Sequence, residues 1–413
     1  MERNHVRVVN VVTSSLTVRF LEGQPQYFEK KGIEVVVVSS PGEDLSKVRR
    51  DGVQTVAVPM AREISPWKDL VSLWRLRKVI SRLRPVITNV ATPKAGLLGG
   101  IAAWLCRVPC RYYTLLGLRC ETTTGLKRKL LLTTERVACL CAHRVICVSE
   151  SLRQKAIELG IVDPSRTVVL AAGSYAGVNP MRFAPTADFL RRAGQLRRDL
   201  GIPREAPVVG FVGRLTRDKG VSELVEAYLE LRDRSPELRL LLVGDMEGGD
   251  PLPPRIRHHI ESEPRIMHTG FVQDPAPYYH VMDVLAFPTY REGFGNAALE
   301  ANAAGKPVVA ARSTGVVNSV IDGVTGILVP ARNAKALGAA LELVLGDQRL
   351  ATSLGSAGRE RVLREFQQES IWDAIVKEYA QLSQAKGLSI SSPASPEATS
   401  VSTAVPYGPA GIR

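Results

Sequence analysis

Short runs of β-branched residues, each followed by a turn and a segment of helical period, recur down this chain, pause, and then begin again. Residues 6–12, Ile33–Ser39, 53–58, 86–90, 111–114 and 144–148 form the first series. They do not alternate apolar with polar, so each strand must be covered on both faces, which is the signature of parallel pairing. Parallel neighbours need long crossovers. The intervening stretches supply them: 66–83 has apolar positions at helical spacing with Arg and Lys between, and 95–106 and 126–141 are further helices. A doubly wound parallel sheet follows, with ligands expected outside the carboxyl ends of its strands.

At 413 residues the chain is too long for one typical domain. From about residue 171 glycine, proline and polar residues take over, and a short charged helix at 191–200 leads to Pro207. The series then restarts: 208–213, 238–243, 265–271, 284–287 and 307–310 continue it, and 317–321, 326–329 and a helix at 334–345 complete it. The expected frame is therefore a first domain over 1–180, a linker over 181–207 and a second domain over 208–365. A ligand held in the cleft between two such domains touches both. The last helix, 366–385, carries Ile371, Trp372, Ile375, Tyr379 and Leu382 on one face, and it is expected to pack back on the first domain. Beyond it, 386–413 is rich in Ser, Pro, Ala and Thr and should be disordered.

Charge divides the chain. Residues 1–185 hold 28 Lys/Arg against 14 Asp/Glu, whereas 186–413 hold 26 against 27. A basic first half calls for an anionic partner, and without a nucleic-acid motif a membrane surface or a phosphorylated substrate is the better match. Lys127, Arg128 and Lys129 form the densest basic segment. The longest apolar run, 95–106, is too short to span a bilayer, and the first residues lead straight into a strand instead of a leader. The expectation is a cytoplasmic protein, with peripheral contact at the inner face of the membrane open to it. All six cysteines lie between Cys106 and Cys147 in no zinc spacing, so buried, reduced thiols are the plain reading.

Two loops of the second half carry the chemistry. In Tyr290-Arg291-Glu292-Gly293-Phe294-Gly295 a strand passes through glycines into a helix that holds Glu300. The loop offers unpaired backbone N–H groups and a positive helix end to an anion, and the two carboxylates can each clamp vicinal hydroxyls. The alternative is an ordinary surface loop before an ordinary helix. The second loop, Gly213-Arg214-Leu215-Thr216-Arg217-Asp218-Lys219-Gly220, puts cations at another strand-to-helix junction: Arg can grip phosphate bidentately, and Lys supplies a point charge.

Gly213-Arg214, Lys219-Gly220, Glu292-Gly293-Phe294-Gly295, Glu300 and the segment 302–330 together resemble the donor-binding half of retaining family 4 glycosyltransferases of the GT-B fold. The likeness covers roughly residues 5–385. Thr92-Pro93-Lys94-Ala95-Gly96, Gly117-Leu118-Arg119-Cys120-Glu121-Thr122 and Val145-Ile146-Cys147-Val148-Ser149 are similar to a bacterial subgroup that builds capsular or exopolysaccharides on lipid-linked carriers. The resemblance implies a nucleotide-sugar donor (UDP-linked), a lipid-linked or glycan acceptor, no nucleic acid, and no metal or other cofactor. It makes Arg214, Lys219 and Glu292 the catalytic group. Donor binding falls to Gly213, Arg214, Lys219, Val272, Glu292, Gly293, Phe294, Gly295 and Glu300, with Glu300 on the ribose and the backbone near Phe271 and Val272 facing the base. Ser14, Ser15, Lys94 and Arg119 are the acceptor-side candidates. Asn89, Ala91 and Leu116 occupy places where many relatives carry histidine, and Gly173-Ser174-Tyr175-Ala176-Gly177-Val178-Asn179 departs from the commoner Gly-Ser-x-Asn-Gly-Val-Asp. An epimerase of the same fold, or a non-catalytic nucleotide-sugar-binding subunit, stays open as an alternative.

Overall fold

The computed structural model describes residues 6–61 and 63–388. Residues 389–413, most of the tail expected to be disordered, lie outside the described residues, as do residues 1–5, read as leading straight into the first strand. Every one of these runs but 317–321 becomes a strand. β1 (Val6–Val11), β2 (Ile33–Ser39), β3 (Gln54–Ala57), β4 (Ile87–Ala91), β5 (Cys110–Leu115), β6 (Arg144–Cys147) and β7 (Thr167–Val168) form one sheet in the order β3-β2-β1-β4-β5-β6-β7. β8 (Val208–Val212), β9 (Arg239–Val243), β10 (Ile266–His268), β11 (Val284–Phe287), β12 (Val308–Ala311) and β13 (Ile327–Val329) form a second, ordered β10-β9-β8-β11-β12-β13. Every pairing within the two sheets is parallel. The molecule is thus two doubly wound α/β units.

Period-two alternation on β5 shows how the first sheet is covered. The Tyr113 ring lies against Gly96 of the helix Pro93–Leu105, where any Cβ would strike it, and its hydroxyl donates to Glu135 of the helix Gly125–Cys141 at 2.6 Å. Tyr112 points the other way, donating to the Glu378 carbonyl at 2.9 Å and packing on Tyr379 with centroids 4.9 Å apart. Those residues belong to the helix Gln368–Ala385, which follows the second sheet in sequence yet seals the first. Asn89 is part of the same seal: it donates to the Tyr379 hydroxyl and accepts from Thr114, at 2.9 and 2.8 Å.

Between the sheets, Thr186 caps the helix Ala187–Asp199, which packs on the helix Ala276–Val281 of the second unit through an Arg197 bond to the Val281 carbonyl at 2.9 Å. One expectation fails. Residues 317–321 are not a strand: Gly315, at φ 80°, starts the helical turn Val316–Ser319, and Val316 and Val320, four residues apart, are both buried. A β-branched run this short does not show whether its period is that of a strand or of a helix. The helix Gln348–Glu365 had no counterpart in the sequence reading.

In each sheet the strand order reverses at one point, between β1 and β4 and between β8 and β11. Loops leaving the carboxyl ends of those strands line the crevice where such folds bind ligands.

Candidate active site

The two loops singled out from sequence leave β8 and β11, the pair at the second reversal point. One backbone bond joins them, and a second ties the glutamate loop to the loop that follows β12. Tyr290 N donates to the Asp218 carbonyl and Glu292 N to the Thr314 carbonyl, both at 2.9 Å. Gly220, at φ 69°, fits under the Pro288 carbonyl, where a Cβ would collide. The result brings Lys219 and Glu292 into direct contact: the ammonium donates to Oε1, with both side chains largely shielded, 15 and 16% exposed. Arg214, more exposed, pairs with Glu247 at 2.7 Å. Both cations expected to hold phosphate therefore have an acidic partner.

Arg291, next to Glu292 in the loop, has a role that sequence does not show. Its Nη2 reaches Asp218 at 2.8 Å, and its Nε donates to Thr122 of the first unit at 3.0 Å, so it ties the two loops to each other and to the opposite wall. Burial pushes the Asp218 carboxyl upward, but the Thr216 hydroxyl at 2.6 Å and the charges of Arg291, Lys219 and Arg214 outweigh it and hold the carboxyl below its usual value. Asp218 is thus an anchored anion that fixes Arg291. Its only sequence signal was an acid placed between two loop cations.

Glu300 stands in the second turn of the helix Asn296–Ala303. Burial raises its pKa, opposed by the Tyr279 hydroxyl, which donates to Oε2 at 2.7 Å, and by the charge of Arg182. Val272 is half-buried beside exposed Phe271, whose N–H donates to Asp245 at 2.8 Å and whose ring lies 5.0 Å from the Arg19 guanidinium of the first unit. Gly213, at φ 150°, turns the chain out of β8.

Across the crevice the walls touch. Ser149 donates to the Gly293 carbonyl at 2.7 Å, a Cβ on Gly293 would strike the Leu116 carbonyl, and one on Gly173 would enter the Phe294 ring. Phe294 is buried against Phe366, with centroids 5.3 Å apart. Gly295, at φ 100°, opens the helix Asn296–Ala303. Glu121, which sequence left without a role, accepts from Thr314 at 2.6 Å.

The acceptor-side candidates are not gathered in this way. Ser14 caps the 3-10 helix Ser15–Leu21, and Ser15 sits against Gly42. Lys94 is held by Asp69 at 2.8 Å and by the Glu63 carbonyl. Arg119 is exposed and makes no bond among the described residues. Of the three places often held by histidine, Asn89 and Ala91 are buried in β4, and Leu116 lends its backbone to the Gly293 contact. Thr92, which follows β4, adopts φ 74°, costly for a β-branched residue, and its hydroxyl is gripped by Thr13 at 2.6 Å.

Comparison with known proteins agrees with this layout. Residues 206–347 match the family described as "Glycosyl transferases group 1", and residues 20–173 match the "Glycosyl transferase 4-like domain". A Staphylococcus aureus capsular polysaccharide biosynthesis glycosyltransferase, CapM, is 32% identical over 373 residues, covering 90% of this chain and 96% of the relative. The chain is a group 1 glycosyltransferase. A Campylobacter jejuni N,N'-diacetylbacillosaminyl-diphospho-undecaprenol alpha-1,3-N-acetylgalactosaminyltransferase is 25% identical over 80% of this glycosyltransferase and 87% of its own length. In fold the enzyme resembles Anabaena Alr3699/HepE, solved in complex with UDP and glucose, with TM-score 0.75, 21% identity, and coverage of 91 and 99% of the two chains. The two parallel-sheet domains are those of the GT-B architecture. Among the described residues no helix is long and apolar enough to cross a membrane.

Proposed function

We propose that this glycosyltransferase moves a sugar from UDP to a lipid-linked or glycan acceptor in cell-surface polysaccharide synthesis, with retention of anomeric configuration. The observation that carries the proposal is the Lys219–Glu292 pair, which puts a cation and a hydroxyl acceptor side by side at the reversal point of the second sheet. A nucleotide-sugar offers each a better partner. Lys219, with Arg214 released from Glu247, takes the diphosphate, and Glu292 accepts from hydroxyls of the sugar. Glu300, with one oxygen engaged by Tyr279, keeps the other for the ribose. Val272 and the backbone beside it face the base, and the N–H groups of Phe294 and Gly295 orient sugar and phosphate.

In the reaction the bond from the anomeric carbon to the diphosphate oxygen breaks. The acceptor oxygen bonds to that carbon from the same face, and the acceptor proton passes to the departing phosphate. Lys219 and Arg214 stabilise the charge that grows on the leaving group, and fixed cations in a partly dry site do this at little reorganisation cost. No cofactor enters the scheme, and the paired glutamates position instead of acting as nucleophile and acid. The choice of UDP follows the ligand named for the Anabaena protein, and a lipid-diphosphate acceptor follows the name of the Campylobacter relative.

The test is nucleoside diphosphate release across a panel of donors, with and without undecaprenyl-diphosphate-linked sugars, with product anomers read by NMR. Acceptor-dependent release that Glu292→Ala abolishes is the expected result. Release no greater than that of Glu292→Ala overturns the proposal. Interconversion of donor without acceptor would mark an epimerase, and binding without turnover a non-catalytic subunit.

A further inference from the structure

The helix Pro66–Leu83 is apolar on two opposite faces. Leu76, Ile80 and Leu83 are buried against the first sheet, as its amphipathic pattern requires. Trp67, Leu70, Val71 and Trp74 recur at spacings of three and four on the other side and are 79, 58, 40 and 53% exposed. The neighbouring helix Pro93–Leu105 adds Trp104 and Leu105, also exposed. Three of the four tryptophans in the chain therefore stand in solvent on two adjacent helices, and the fourth, Trp372, is buried. A recess of about 480 Å³ lies between the helices, lined by Leu70, Val71, Leu73, Trp74, Arg77 and Leu105. A solvated monomer gains nothing from such a ridge.

Charge says what covers it. Between Glu63 and Glu150 the chain carries fifteen Lys/Arg against three Asp/Glu, a net +12 that nearly accounts for the +13 of the whole protein. None of the three acids is exposed: Asp69 is paired with Lys94, Glu121 accepts from Thr314 and Glu135 from Tyr113. Lys68, Arg75, Arg77, Lys78 and Arg82 instead surround the aromatic ridge as exposed cations, and the Lys78 ammonium sits 3.7 Å from the centroid of the Trp74 ring. Indole rings flanked by long basic side chains suit the boundary between acyl chains and headgroups, the rings going in and the cations reaching phosphate. A second copy of this face would bring like charge against like charge.

We infer that the outer face of the helices Pro66–Leu83 and Pro93–Leu105 docks on an anionic phospholipid bilayer. Lys94 and Asp69 join the first turns of both helices at the carboxyl end of β4, so the ridge starts beside the crevice and runs away from it. An acceptor on a lipid carrier, in the reading above, reaches the crevice from the side that the membrane occupies. Lys127, Arg128 and Lys129, on the helix Gly125–Cys141, contribute long-range attraction and no aromatic anchor.

The full-length protein is floated with phosphatidylcholine vesicles and with vesicles containing phosphatidylglycerol, at low and high salt, and its tryptophan emission is recorded. Binding to the anionic vesicles is expected, with a blue shift and quenching by brominated phosphatidylglycerol. W67S/W74S/W104S should abolish most of the binding that survives high salt. R75E/K78E should weaken low-salt binding about tenfold or more. The aromatic variant should melt like the parent, because the rings are exposed. Unchanged tryptophan emission, no quenching, or an aromatic variant that partitions like the parent overturns the inference. So does a dimer that the aromatic variant dissociates while vesicles bind neither form. Transfer to a water-soluble acceptor is unaffected by W67S/W74S/W104S, so failure of the transferase reading and failure of this one are told apart.

Discussion

The two domains use their carboxylates in opposite ways. In the second, Glu292, Glu247 and Asp218 stand in loops at the strand ends, each facing a cation, so charge there is balanced, and the Lys219 and Arg214 pairs are placed to exchange. In the first, the carboxyls of the central stretch are engaged by Tyr113, by Lys94 and, across the crevice, by Thr314, and most of the cations are left outward. Net charge alone would suggest that the basic half binds the phosphate. The pairing shows instead that a compact dianion is served best by a few cations with partners to exchange, and an extended anionic surface by many cations with none.

Each half of that contrast can be broken. Lys219→Ala should have the largest effect, a fall in kcat of roughly 10²–10³-fold in the nucleoside diphosphate assay, as when one preorganised donor is lost from a charge-stabilising site. If Arg214→Ala costs far more than Lys219→Ala, the partly buried pair is not the centre of the site. Glu135 tests the first domain. Burial lifts its carboxyl to about 7 from an ordinary 4.5. Its neutral form therefore favours the fold fully below pH 4.5, and that advantage is lost as the pH rises towards 7. The loss is on the order of 3 kcal/mol. Denaturant midpoints measured for both proteins over that range should show the parent losing stability relative to Glu135→Gln as the pH rises. Gly220→Ala probes the close fit of the donor loops: a left-handed φ and a carbonyl in the way of the Cβ should cost about 2 kcal/mol of stability by urea titration. The smallest change is expected for Glu247→Gln, which removes a competitor for the exposed Arg214 and should tighten nucleotide binding by roughly two- to threefold in calorimetry.

What could be read from the sequence follows the range of the forces involved. Parallel strands declare themselves locally, because a run covered on both faces is mostly apolar and does not alternate with polar residues, and so the two sheets were legible. Residues 317–321 were not, since five residues with β-branched ends and two polar spacers between fit either period. The donor loops were visible as cations and glycines at strand-to-helix junctions. That Lys219 meets Glu292, 73 residues further on, or that Arg291 crosses to Thr122, is set by tertiary register and has no local sign. The ridge on Pro66–Leu83 was hidden for a different reason: spacing shows that Trp67 and Trp74 share a face but not that another face of the helix is the buried one.

The chain passes between the domains twice, and the two passages run side by side. Val178 N donates to the Phe366 carbonyl at 2.8 Å, Val178 bridges to Gln367, and Gly177 leaves no room for a Cβ between Phe366 and Gln368. Two passages pinned together define an axis, as two screws fix a door to its frame. Rotation about it leaves both sheets intact and acts through a lever arm: residues near Gly177 barely move, and those far across the crevice sweep widest. The reach of the first domain's helices from that axis thus sets how far a small twist at Phe366 is magnified.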